Sequence, residues 1–126
     1  MKTIATWQLP IKTASESNLK EHWSKSSKRH AVQKGWVKWA FNKDKPELGN
    51  TLVYHVILTR IAPRKLNLHD NLPMSLKWVV DSIAEEITGD YVPGRADDGD
   101  SITWEYRQDK GKPHEYAVRI EIQAVA

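Results

Sequence analysis

A chain of 126 residues with 40% hydrophobic and 28% charged side chains has the balance of one folded domain with a modest core, which excludes a disordered chain and a second domain. We therefore read residues 1–126 as a single domain. No apolar run approaches the roughly 20 residues that span a bilayer, MKTIATWQLP lacks the continuous apolar segment and cleavage site of a secretory signal, and cysteine is absent. These features predict a cytoplasmic protein with neither disulfides nor thiolate metal sites. The net charge of +3 hides an asymmetry: residues 1–65 hold thirteen Lys/Arg against four Asp/Glu, whereas residues 66–126 hold six against twelve. Such a chain suits a polyanion on its basic half and metal cations on its acidic half.

Thr3–Leu9, with β-branched and aromatic residues in partial alternation, predicts a first strand ended by Pro10. Asn18 with Glu21 three residues later forms a capping-box pattern. It opens a helical stretch to about Asn42, with Ser26-Ser27 and Gly35 as candidate breaks. This stretch interleaves Lys20, Lys25, Lys28, Arg29, Lys34 and Lys38 with Trp23, Trp36 and Trp39. Cations bind phosphates and indoles stack on bases, but six tryptophans in one chain are used more economically as core volume. We assign Trp36 and Trp39 to the core and Lys28 and Arg29 to DNA contacts.

TLVYHVILTRIA, residues 51–62, is apolar and β-branched on both faces and predicts a central strand. Arg64 and Lys65 follow it, a few residues before Asp70, a suitable neighbourhood for gripping a phosphate. Leu72, Leu76, Val79, Val80, Ile83, Ala84 and Ile87 then recur at helical spacing, predicting a second helix with Pro73 in its first turn and its end at Gly89. Lys77 and Asp81 lie one turn apart on another face, and Glu85 is expected on the exposed side. Beyond a Pro93-Gly94 turn comes a second acidic group, Asp97-Asp98-Gly99-Asp100. Alone, Asp70-Asn71 reads as a helix cap and DDGD as a turn. Brought together, these carboxylates repel unless a cation sits among them, and Mg²⁺ prefers such oxygen ligands.

Residues 101–108 and 115–123 alternate with a period of two, and Asp109-Lys110-Gly111-Lys112 between them predicts an antiparallel hairpin. The expected fold is α+β, in the order β-α-β-α-β-β, with two main helices against one face of a mixed four-stranded sheet. There is no P-loop, dinucleotide-binding glycine pattern or nucleophile elbow, and the five histidines show no zinc-ligand spacing. No organic cofactor is expected.

Asp70-Asn71-Leu72, a helix bearing Lys77 and Asp81, then Asp97-Asp98 before a strand resembles the RusA-type Holliday-junction resolvases, whose pattern is D-x-D-N-L, helix, D-D, strand. Leu9-Pro10 with Ser17-Asn18 loosely echoes the Pro-x-Ser-Asn region of that family. The resemblance implies the same fold and an Mg²⁺-dependent endodeoxyribonuclease, with Mn²⁺ as a substitute metal, that resolves branched DNA in recombination and repair as a homodimer. It further implies that Asp70 and Asp98 are catalytic acids, that Asp70, Asp97, Asp98 and Asp100 are the metal-ligand candidates, and that Lys77 stands in for the family's helix lysine, whose own position is Met74 here. The family's first acid of D-x-D-N falls on Leu68. The alternative expectation is therefore a DNA-binding relative that does not cleave.

Overall fold

The doubly apolar segment is a strand with a neighbour on each side. In a computed structural model that describes residues 2–13, 23–48, 53–66, 71–89 and 101–125, β1 (Lys2–Leu9) is followed by α1 (Trp23–Asp44), β2 (Val53–Ala62), α2 (Asn71–Ser75), α3 (Lys77–Thr88), β3 (Ile102–Lys110) and β4 (Ala117–Val125). The strands form one mixed four-stranded sheet in the order β1-β4-β2-β3. β4 lies antiparallel to both β1 and β2, and β3 lies parallel to β2. The α+β order read from the sequence is the order found, with α1 and α3 as the two main helices.

Residues opposite one another across strands share a face of the sheet. Trp7, Ile120, Leu58 and Tyr106 form one such row, and Ala5, Ile122, Val56 and Trp104 form the next. Val37, Ala40 and Phe41 of α1 and Leu76, Val79, Ile83 and Ala84 around α3 complete a single core cluster with this face. The two helices are also joined directly: the His30 and Trp78 rings stack with centroids 3.8 Å apart, and Lys34 Nζ lies 3.2 Å from a Glu85 carboxylate oxygen. Glu85 therefore faces α1. The expectation that it would sit on the exposed side is corrected, because α1 covers a second flank of α3 that hydrophobic periodicity does not mark.

α1 continues through Gly35 without the predicted break; its Asn18 cap falls outside the described residues. Trp36 packs partly against the core, but Trp39 is 49% exposed, correcting its assignment to the core. The second helix is interrupted at Leu76. Ser75 Oγ donates to the Leu72 carbonyl at 2.7 Å, and the Leu76 N–H turns instead to Pro73 O at 3.1 Å. A local side-chain bond thus displaces one helical bond, while the predicted apolar face stays buried. Gly89 ends α3 in the left-handed conformation, φ 73°, its N–H donating to Glu85 O, as the position of that glycine predicted.

The hairpin expected between residues 101–108 and 115–123 is not formed. β3 and β4 lie on opposite sides of β2, and the segment joining them passes across the end of β2, where the Gly111 N–H donates to Ala62 O at 2.8 Å. A Cβ at Gly111 would stand 3.1 Å from the Glu115 carbonyl and 3.2 Å from Ile61 Cγ2, so glycine serves a close crossing here and not a two-strand turn. β2 outcompetes the local pairing because its two apolar faces and all its backbone groups are satisfied only between two partners.

The other face of the sheet carries ionic pairs around β2. Glu105 accepts from Arg107 Nε, and its second oxygen lies 3.2 Å from His55 Nε2. Hydrogen bonds to His55, then to Arg107, hold the Glu105 carboxyl below the ordinary range. A depressed carboxylate stabilises the fold above its unfolded pKa, and that contribution is lost as pH falls through the folded value. The urea midpoint of Glu105→Gln should accordingly lie below that of the parent at neutral pH, with the gap closing in acid. A gap that stays constant down to about pH 3, below the reference glutamate pKa, would remove this pair from the account.

Candidate functional site

The sequence-derived cations fall into two groups. Arg64 and Lys65 are exposed immediately after β2, and their segment is fastened to the sheet by the Gln108 side chain: Leu66 N–H donates to Gln108 Oε1 at 2.9 Å, and Gln108 Nε2 donates to Leu66 O at 2.8 Å. Lys28 is exposed on α1, whereas Arg29 is partly buried there. Lys77 begins α3, exposed, with its Nζ 5.5 Å from the Trp78 ring centre. Through the His30–Trp78 stack, the start of α3 lies against α1.

Asp70, Asp97, Asp98 and Asp100 lie outside the described residues. Asp70 immediately precedes Asn71, the first residue of α2, and Asp100 immediately precedes Ser101 ahead of β3. Among the described residues no group of three or more His, Asp or Glu side chains is placed to hold a metal. The four aspartates remain the ligand candidates taken from the sequence, and their hard carboxylate oxygens are of the kind that Mg²⁺ or Mn²⁺ prefers.

Two cations were not singled out from the sequence. Arg60, in the apolar β2 run, is only 7% exposed; its Nε donates to Thr13 Oγ1 at 3.0 Å and its Nη1 to the Arg64 carbonyl at 2.7 Å. Lys12 follows β1, with its Nζ 4.6 Å from the centre of the Tyr116 ring. Together with Arg64 they line a cleft of about 350 Å³ whose other walls are Thr13, Ala62, Pro63, Leu66 and Tyr116. Burial lowers the Arg60 pKa, and the nearby Tyr116 opposes that shift, but a guanidinium remains charged at neutral pH. The sequence signal was an arginine on the core-facing parity of a central strand, where a charge persists only with partners.

No protein-family model matches this chain, and comparison with curated proteins returns no match. Among the described residues no helix is long and apolar enough to cross a membrane.

If these four cations contact phosphates, replacing Lys28, Arg29, Arg64 and Lys65 with glutamine should weaken DNA binding and flatten its decline with salt, because with fewer phosphate contacts the complex releases fewer counterions. The slope of log affinity against log salt, measured by anisotropy, should fall in magnitude by about 0.9 for each contact removed. An unchanged slope would take these residues out of the interface.

Proposed function

We propose that this protein is an Mg²⁺-dependent endodeoxyribonuclease that resolves branched DNA such as four-way junctions by phosphodiester hydrolysis, in the manner of the RusA-type resolvases it resembles. The observation that carries this reading is the basic end of the sheet. Lys12, Arg60 and Arg64 line one cleft, and the chain leads from Leu66, pinned by Gln108, into the segment containing Asp70. The agreement of element order with that expected from the resemblance adds support.

In this reading Asp70 and Asp98, helped by Asp97 or Asp100, supply the oxygen donors for Mg²⁺. The bound ion would acidify a water and polarise the scissile phosphate. Arg64 and Lys65 would position that phosphate by charge-assisted hydrogen bonds, and the Lys77 ammonium would stabilise negative charge developing on its oxygens. A homodimer is proposed because cutting two strands across a two-fold junction requires two such sites related by the same symmetry.

A second reading, a DNA-binding relative without cleavage, is favoured by Leu68 at the position of the family's first acid. Labelled four-way junctions and linear duplexes of the same sequence, first in EDTA and then in Mg²⁺, separate the readings. The nuclease should bind the junction in EDTA and cut it when Mg²⁺ is added. Binding without cutting selects the second reading, and no binding rejects both.

A further inference from the structure

We propose that the cleft at the end of β2 is a built oxyanion site that takes one phosphate group, with Arg60 as its floor and Lys12 and Arg64 at its walls. The starting point is the unexplained cost of Arg60. A guanidinium more than nine-tenths buried needs compensation, because burying a charge without a partner is strongly unfavourable. Its two hydrogen bonds, to the Thr13 hydroxyl and the Arg64 carbonyl, go to neutral acceptors, and no carboxylate pairs with it among the described residues. Among the described residues no acidic side chain lines the cleft either. Three cations thus surround a space of about 350 Å³ with a hydroxyl beside them and no counter-charge among the described residues.

The arrangement also holds the guanidinium in one orientation. Nε and Nη1 are tied to Thr13 and to the chain at Arg64, so the donors left over are fixed before any ligand arrives. Pre-organised planar donors match the oxygens of a phosphate. Lys12, exposed above Tyr116, adds a point charge at the rim. The shared chemistry is a phosphoryl oxyanion, which could come from free phosphate or from a nucleic-acid backbone. The backbone is the source favoured here: the chain runs in sequence from Arg64 at the cleft to the candidate acid Asp70, so a phosphate seated here would belong to the strand that the proposed nuclease holds. That assignment to DNA rests on the proposed function, whereas the oxyanion site does not.

The test uses the full chain in EDTA, so that cleavage plays no part. Inorganic phosphate titrated against sodium chloride of equal ionic strength should saturably raise the melting temperature and shift the Arg60 Nε–H resonance. Lys12→Gln should weaken this response and Arg60→Gln should abolish it, while Lys43→Gln, exposed on the last turn of α1, should leave it unchanged. Because Arg60→Gln also removes two structural hydrogen bonds, Lys12→Gln carries the decision if the Arg60 variant fails to fold. A parent that responds to phosphate no more than to chloride, or a Lys12→Gln protein that responds like the parent, would overturn the site. In the second arm, Lys12→Gln should reduce the salt slope of junction binding by about one. Specific phosphate binding with an unaltered DNA slope overturns the backbone assignment, and specific phosphate binding by a parent with no DNA affinity contradicts the proposed function while upholding the site.

Discussion

Truncating Ile83 to alanine should lower the free energy of unfolding by about 2–5 kcal/mol, the range for removing a large aliphatic side chain from a core that relaxes only in part. Ile83 is fully buried in α3, in the same cluster as Val37 and Phe41 of α1 and Leu58 and Ile120 of the sheet. Its loss therefore opens a cavity where both helices meet the strands. The matching control is Lys77→Ala, exposed on the same helix, which should cost under about 0.5 kcal/mol. Glu85→Ala is not a neutral control, since it would leave Lys34 without its partner across the helix interface. Urea denaturation of the three proteins checks the phase of α3; equal losses for Ile83→Ala and Lys77→Ala would mean that the apolar face is misplaced.

The largest functional effect is expected at the aspartates. Asp70→Asn and Asp98→Asn should each abolish Mg²⁺-dependent junction cleavage, because each replaces a charged oxygen donor with an amide that binds a hard cation weakly. Both variants should fold. If the proposed site binds metal, Mg²⁺ should raise the melting temperature of the parent and of neither variant, and without metal each variant should melt at or above the parent temperature, since carboxylates sharing a site would repel one another. A helix cap at Asp70 would behave differently: asparagine caps about as well as aspartate, and metal would then affect neither parent nor variant. Calorimetry with and without Mg²⁺, beside a cleavage assay, distinguishes the two roles.

Much of the fold was legible because burial writes itself into spacing. The apolar stripe from Leu72 to Ile87 marked the covered face of α2 and α3, and the doubly apolar β2 marked the centre of the sheet. What spacing does not encode is partner choice. The alternation in β3 and β4 is the same whether they pair with each other or flank β2, so the crossing at Gly111 could be read only from three-dimensional contacts. Ser75 interrupts the helix through its hydroxyl, a bond invisible to hydrophobic periodicity, and Trp39 is exposed although its type favours burial. At the cleft, Arg64 was legible as an exposed cation just after the strand, but Arg60 was hidden because it lies within a mostly apolar strand while its hydrogen-bond partners, Thr13 Oγ1 and the Arg64 carbonyl, lie outside that strand.

The most direct test of the proposed activity is to form the complex of the parent protein with an end-labelled four-way junction in EDTA, add excess Mg²⁺, and map the products on a denaturing gel. Paired nicks are expected in two opposing strands, related by the two-fold symmetry of the junction, and none while EDTA is in excess. A junction that stays bound and uncut in both Mg²⁺ and Mn²⁺ would contradict the proposed activity.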